Sequence, residues 1–321
     1  MSVRKIGVLT SGGDAPGMNA AIHAVVKSAI ARGIDVVGVY RGYSGLIKGD
    51  VRILKSRDVS DIIQRGGTIL YSARCLELKT DEGVRKAKEV CDKNDIDGLV
   101  VIGGDGSFRG ARVLSMAGIS CVCLPGTIDN DISCTDYTIG YDTAINTAVS
   151  MSDKLCDTTA SHDRCSVVEV MGRNAGYIAL NAGISCSASY IVVPEHPFNK
   201  QDLFERIRFA MRRGKNHFIV MVAEGIGNVT ELAREIEEST GVESRATILG
   251  HVQRGGSPTV RDRVAGARLG YFAVKLLSDG IKNRVLGLNK DEIVDFDITE
   301  ALEMTKKFPE DLYNMASELS R

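Results

Sequence analysis

The residues of this 321-residue chain best suited to chemistry lie in Pro125-Gly-Thr-Ile-Asp-Asn-Asp131. Asp129 and Asp131 stand two apart, and in an extended segment both point to one side. Carboxylates that close raise one another's pKa, which suits one of them to take a proton near neutral pH. The apolar run Ser120-Cys-Val-Cys-Leu124 precedes them and reads as a buried strand. Pro125 and Gly126 stop that strand and leave the acids at its carboxyl end, where open α/β sheets bind ligands. On this stretch alone, a solvated acidic turn is equally open.

Gly12-Gly13 and Gly104-Asp105-Gly106-Ser107 also follow apolar runs, and each opens onto a predicted helix N-terminus. Backbone N–H groups and the positive dipole end bind phosphate there. Asp105 could face those phosphates and hold Mg2+, which takes one or two carboxylates plus phosphate oxygens; a plain turn is the other reading. No G-x-x-x-x-G-K-[ST] occurs, which excludes a P-loop enzyme. A dinucleotide site is disfavoured, because Gly110 is misplaced as a third glycine and Tyr40-Arg41 stands where an acid should hold the ribose. Arg74, Arg173 and Arg254 mark further turns, and Arg164 and Arg245 stand just before predicted strands. Guanidinium forks match phosphate bidentately, although any one of these arginines also suits a solvated surface. His251 could hydrogen-bond a sugar hydroxyl, and Glu224 ends a strand as another sheet-edge carboxylate; both also fit structural roles.

The elements that must position these groups follow from hydrophobic period. Lys5–Thr10 and Asp35–Tyr40 read as strands around a helix from Asn19 to Arg32, a βαβ unit that implies a parallel sheet. The pattern repeats with a helix over 81–93, a strand over 98–102, a helix capped by Ser107 and running to about Met116, and the 120–124 strand. Asp142 is expected to cap a long helix to about Asp157. Strands over 164–170, 190–193, 217–223 and 246–249 alternate with helices over about 200–213 and 229–239. A helix from about Thr259 to Asp279, a strand pair (284–288 and 292–296) and two terminal helices close the chain. All the functional loops are thereby expected on one edge of their sheets.

The chain is near the length at which single cores stop growing, so two lobes with a cleft between them are expected. A formal net charge of -1 argues against a general nucleic-acid binder. The eight cysteines show no C-x-x-C spacing, which points to free buried thiols in a reducing cytoplasm rather than a zinc or redox motif. The start lacks a long apolar segment, and no run approaches the ~20 apolar residues that span a bilayer, so neither a signal peptide nor a membrane partner is expected.

Taken together, Leu9-Thr-Ser-Gly-Gly-Asp-Ala-Pro-Gly-Met-Asn19, Gly103-Gly-Asp-Gly-Ser107, Pro125–Asp131, Val168-Glu-Val-Met-Gly-Arg173 and Arg245-x4-Gly-His-x-Gln-Arg-Gly-Gly-x5-Asp-Arg263 resemble the bacterial-type ATP-dependent 6-phosphofructokinase family, over essentially the whole chain. The resemblance implies two doubly wound, Rossmann-like α/β lobes with mostly parallel sheets: a larger ATP- and Mg2+-binding lobe of 1–138 plus 252–305, and a smaller sugar-phosphate lobe of 139–251 plus 306–321. It implies transfer of a phosphoryl group from ATP to the 1-hydroxyl of fructose 6-phosphate, the committed step of glycolysis, in a cytoplasmic allosteric enzyme. Asp129 would be the base, with Thr127 and Arg173 also catalytic. Gly13, Tyr40, Arg74, Gly104, Gly106 and Ser107 would hold ATP, with Asp105 on the metal ion. Thr127, Asp131, Met171, Gly172, Arg173, Glu224, His251 and Arg254 would surround the sugar phosphate and the transferring group. Arg164 and Arg245 match residues supplied from a neighbouring subunit, which implies a homotetramer with shared active sites.

Pyrophosphate-using relatives carry Asp at the position of Gly106 and Lys at that of Gly126, so glycine at both implies ATP. The effector positions depart from the family pattern: His23, Lys27 and Cys156 stand where arginines are usual, and Ser189 where a Glu is. Arg213 and Lys215 remain, beside Asn216. Weak or altered regulation by nucleoside diphosphate or phosphoenolpyruvate is therefore expected. The alternatives are a pyrophosphate-dependent or other sugar-phosphate kinase of the same fold, and a non-catalytic sugar-phosphate sensor.

Overall fold

Gly98-Leu-Val-Val-Ile-Gly103 is buried at every position, as a parallel strand covered on both faces must be. The computed structural model describes residues 3–320. From the amino end run β1 (Lys5–Ser11), α1 (Met18–Ile30), β2 (Asp35–Val39), α2 (Gly42–Lys48) and β3 (Val51–Leu54). Next come α3 (Asp81–Lys93), β4 (Gly98–Gly103), α4 (Asp105–Met116), β5 (Ser120–Pro125) and α5 (Tyr141–Ser161). β6 (Cys165–Val170), α6 (Tyr177–Ser185), β7 (Tyr190–Val192), α7 (Lys200–Arg212) and β8 (Phe218–Ala223) follow. α8 (Val229–Thr240), β9 (Ser244–Ile248), α9 (Val260–Ser278), β10 (Arg284–Asn289), β11 (Glu292–Asp297), α10 (Ile298–Glu303) and α11 (Glu310–Leu319) complete the order. No helix among the described residues is long and apolar enough to cross a membrane.

The chain divides into two compact units. The larger comprises Met1–Ile128, Ile132–Thr143 and Arg254–Lys306; the smaller comprises Asp129–Asp131, Ala144–Gln253 and Lys307–Arg321. The larger unit holds a seven-stranded sheet in the order β11-β10-β5-β4-β1-β2-β3. Its five inner strands are parallel, and β3 and β11 pair antiparallel at the edges. Connections leave the β1/β4 pair in opposite directions, so the crevice outside their carboxyl ends is a topological switch point. Leu9, Val101, Phe108, Leu114 and Cys121 belong to the core on this sheet. α1 and α9 pack closely through small residues. A Cβ at Gly270 would lie 2.6 Å from the Ala21 carbonyl oxygen, and one at Gly266 2.9 Å from that of Gly17. Overpacking of this kind costs about 1–3 kcal/mol.

The smaller unit holds a four-stranded, wholly parallel sheet in the order β7-β8-β6-β9. Leu203, Phe204, Phe218, Val220 and Ile236 form much of its core. Side chains of Asn199 and Asn228 cap α7 and α8, satisfying N–H groups that lack helical partners. The last helix is tied to this unit by Tyr313, stacked on His196 at 4.0 Å, and by Glu310, whose carboxylate lies 2.8 Å from His196 Nε2.

Several local expectations are corrected. α4 begins at Asp105 with Gly104 at its N-cap, so Ser107 lies inside the first turn. Its hydroxyl instead donates to the Ser11 carbonyl at 2.9 Å. α5 begins at Tyr141, which puts Asp142 in the first turn, where its charge suits the helix dipole, rather than at the cap. α1 starts only at Met18, so Gly12-Gly13 belong to a loop ahead of the helix and do not open it directly. Asn130 has φ 52°, a left-handed conformation, so Asp129 and Asp131 do not share one side of an extended segment. Arg245 lies within β9, paired with Ser166, and does not precede the strand. Residues 41–80 contain α2 and β3, which period alone left unassigned.

Candidate active site

Loops after β1, β4 and β5 converge because these strands are neighbours in the larger sheet. The Gly126 N–H donates to the Gly103 carbonyl at 2.9 Å, and Ser107 joins the β4 loop to β1. A Cβ at Gly103 would lie 2.4 Å from both Ser107 Oγ and the Ser11 carbonyl oxygen, so only glycine fits. At Gly104 it would come no nearer than 4.0 Å to Thr127, and at Gly106 it would meet nothing within 4 Å. The start of α4 thus presents open backbone, which is what a phosphate needs.

Gly13 lies against Arg254: a Cβ there would be 2.4 Å from Nη1. Arg254 Nη1 also donates to the Asp14 carbonyl at 3.1 Å, so this arginine sits at the β1 loop. Ser72 Oγ donates to the Gly12 carbonyl at 2.5 Å and Thr10 Oγ1 to the Tyr71 carbonyl at 2.8 Å, bringing the segment that runs into Arg74 beside the same loop. Tyr40 follows β2, with the Arg52 guanidinium 4.5 Å above its ring. Thr127 is held through its backbone, its N–H donating to Ile139 at 3.1 Å and its carbonyl accepting from Thr138 Oγ1 at 2.6 Å.

Asp105 lies in the first turn of α4, half-exposed and 2.9 Å from Arg109 Nε. Among the described residues no cluster of three or more His, Cys, Asp or Glu could hold a metal ion unaided. Mg2+ that takes one carboxylate and substrate phosphates needs no such cluster, and Asp105 beside open phosphate-binding backbone fits that donor set.

Asp129, only 7% exposed, and Asp131 belong to the smaller unit. At the carboxyl edge of the smaller sheet, Met171, Gly172 and Arg173 follow β6, Glu224 follows β8, and His251 lies in the turn after β9. The Arg173 N–H donates to Glu224 Oε1 at 2.6 Å. Arg173 itself adopts φ 57°, a left-handed conformation that costs of order 1–3 kcal/mol and is common at functional sites. Burial, then the neighbouring Glu224, raises the Glu169 carboxyl above its ordinary range. Gln253 is wholly buried and runs between elements: its Oε1 accepts from the Met171 N–H at 3.4 Å and its Nε2 donates to Gly250 at 3.1 Å. Sequence reading gave it no role, although it stands between His251 and Arg254.

Arg164 and Arg245 lie elsewhere. They stand at the amino edge of β6 and β9, where Glu243 grips both, at 2.9 Å and 2.5 Å. Arg164 immediately precedes its strand, as the sequence placed it, and the pair stands apart from the carboxyl-edge loops. His23 bonds the Val59 carbonyl at 2.8 Å and Lys27 bonds Ser56 Oγ at 2.5 Å, both in the larger unit. Arg213 and Lys215 line a cavity of about 490 Å³ in the smaller unit with Asp202, Glu205 and Phe209. Lys215 Nζ donates to Ser189 Oγ at 3.0 Å, and burial lowers its pKa. All eight cysteines are free, six of them buried. Burial pushes the Cys91, Cys121 and Cys165 thiols up to about 12, which makes them inert.

Two doubly wound sheets with phosphate-suited loops at their carboxyl edges define an α/β enzyme class that handles phosphorylated ligands. Comparison narrows the class: residues 5–277 match the family described as PFK, phosphofructokinase. The chain is 54% identical over 319 residues to the ATP-dependent 6-phosphofructokinase of Clostridium botulinum (strain Loch Maree), covering 99% of this chain and 100% of the relative. Identity and coverage are the same for ATP-dependent 6-phosphofructokinase 1 of Clostridium perfringens (strain 13). Among solved structures, Pichia pastoris phosphofructokinase in the T-state superposes with a TM-score of 0.90 at 35% identity, over 99% of this chain and 38% of that one. The chain belongs to the phosphofructokinase family.

Proposed function

We propose that this chain phosphorylates D-fructose 6-phosphate at its 1-hydroxyl, using ATP, to give fructose 1,6-bisphosphate in glycolysis. The observation that carries this is 54% identity over the full length of proteins named for that activity. Asp129 takes the proton of the 1-hydroxyl as its oxygen attacks the γ-phosphorus of ATP, and ADP departs. Such a base contributes typically 10²–10⁴-fold, so most of the acceleration comes from positioning and charge stabilisation.

Gly13, Tyr40, Arg74, Gly104, Gly106 and Ser107 hold ATP, and Asp105 holds Mg2+, which when bound neutralises phosphate charge. Thr127, Arg173 and Arg254 steady the transferring phosphoryl group. Asp131, Met171, Gly172, Glu224 and His251 hold the sugar. The placement of Arg254 against Gly13 and Asp14 supports a role toward the phosphoryl group.

Arg164 and Arg245 bind the sugar phosphate of a neighbouring subunit, in a homotetramer with shared active sites. What supports this is their place on the smaller sheet. β6 is six residues long, roughly 20 Å of extended chain, and Arg164 and Arg173 flank its opposite ends. One small ligand cannot bridge that span. The enzyme acts in the cytoplasm.

The test is Asp129→Asn. Turnover should fall by about 10²–10⁴-fold while fructose 6-phosphate and ATP still bind, as measured by calorimetry. Unchanged turnover would remove Asp129 from the chemistry. A wild-type chain that binds both ligands without turnover would instead be a sensor.

A further inference from the structure

The buried acids among the described residues are Asp129 and Asp262, and Asp262 is wholly buried, in the first turn of α9. Four donors converge on its carboxylate. Oδ1 accepts from the Tyr137 hydroxyl at 2.5 Å and the Gly140 N–H at 2.7 Å. Oδ2 accepts from the Thr143 N–H at 2.9 Å and the Thr143 hydroxyl at 2.5 Å. A carboxylate has about four lone-pair sites, so its acceptor capacity is filled by the loop before α5 and the first turn of that helix, residues 137–143. Burial pushes the Tyr137 phenol well up, and the Asp262 charge adds to it, so the phenol keeps its proton and stays a donor.

The other side of that loop meets the exit of β5. Gly126 and Ile139 form a parallel bridge; the Ile139 N–H donates to Pro125 at 2.9 Å and the Thr127 N–H to Ile139 at 3.1 Å. Thr138 Oγ1 adds a bond to the Thr127 carbonyl at 2.6 Å. Asp129 follows Thr127 by two residues. The loop after β1 packs here as well. A Cβ at Gly17 would lie 3.2 Å from Asp262 Cβ and 2.7 Å from Ile139, and one at Gly140 2.6 Å from Ala15.

We infer that Asp262 is a positioning residue for phosphoryl transfer: its carboxylate fixes segment 137–143, and through it the Gly126–Thr127 backbone that leads into the base, Asp129. The inference rests on the reaction proposed above. Reacting atoms must be held about 3–3.5 Å apart, and a 1 Å displacement can cost about 10²-fold. Asp262→Asn replaces one acceptor oxygen with an NH2 group facing two donors, which slackens the loop while keeping side-chain size.

The experiment measures kcat, both KM values and thermal midpoint for wild type, Asp262→Asn, Tyr137→Phe, Thr138→Val and the Asp262→Asn/Thr138→Val double variant. Asp262→Asn should lower kcat about 10²-fold and move the KM for fructose 6-phosphate less than about threefold. Thr138→Val should lower kcat less, and the double variant should be no slower than Asp262→Asn alone, because both changes break one route. If Asp262→Asn does not fold, Tyr137→Phe, which removes one hydroxyl, carries the test through a several-fold loss of kcat. A lowered midpoint with kcat and both KM values unchanged, or losses that multiply in the double variant, would overturn the inference. A wild type without turnover in the same assay would overturn the proposed reaction, and this inference with it.

Discussion

The two units offer different kinds of candidate phosphate-binding groups. In the larger, the loops after β1, β4 and β5 are shaped by Gly12, Gly13, Gly103, Gly104 and Gly106, locked by backbone hydrogen bonds and backed by the buried Asp262. In the smaller, the corresponding edge offers side chains: Arg173, Glu224 and His251, with Arg164 and Arg245 sharing Glu243 at the other edge. Backbone donors read a phosphate as a shape and need a rigid cradle. Guanidinium groups read it through planar forks that match its oxygens bidentately. The proposed reaction assigns the nucleotide to the first means and the sugar phosphate to the second.

The sharpest way to break the comparison is to add one methyl group. Gly103→Ala drives a Cβ to 2.4 Å from a backbone oxygen, so it should cost about 1–3 kcal/mol of stability and impair ATP use. Gly106→Ala enters open space, so thermal unfolding should move by less than about 0.5 kcal/mol, with any loss confined to the KM for ATP. Equal damage from both, in melting and ATP titrations, would mean that the cradle is not shaped as described.

The smallest effect is expected at the effector positions, where charge alone is available. His23 and Lys27 are occupied by Val59 and Ser56, and Lys215 by Ser189. Added ADP should therefore leave the curve of rate against fructose 6-phosphate nearly unmoved. Strong activation would show that these substitutes bind phosphate as well as arginines do.

Much of this was legible because the signals are local. Apolar runs such as Ser120–Leu124 give strands, and the glycines after them give phosphate loops. The segment 41–80 was not legible: β3 is largely exposed, and α2 starts from left-handed Arg41 and Gly42, so neither shows a clean hydrophobic period. The bend at Asn130 was hidden because a single left-handed residue leaves no pattern beyond its type. Arg164 was legible as standing just before its strand, which already gives the amino edge; the pairing that takes Arg245 into β9 was not legible. Asp262 falls in the motif that ends at Arg263, but its role was the least legible of all. Its partners Tyr137, Gly140 and Thr143 lie more than a hundred residues away in sequence, and only α1–α9 packing brings that helix start to Gly17.

The most direct test of the central claim is fructose 1,6-bisphosphate formation from fructose 6-phosphate and Mg2+, with ATP and pyrophosphate supplied in parallel. Turnover with ATP and little or none with pyrophosphate is the predicted result. Faster turnover with pyrophosphate, or none with either donor, would contradict it.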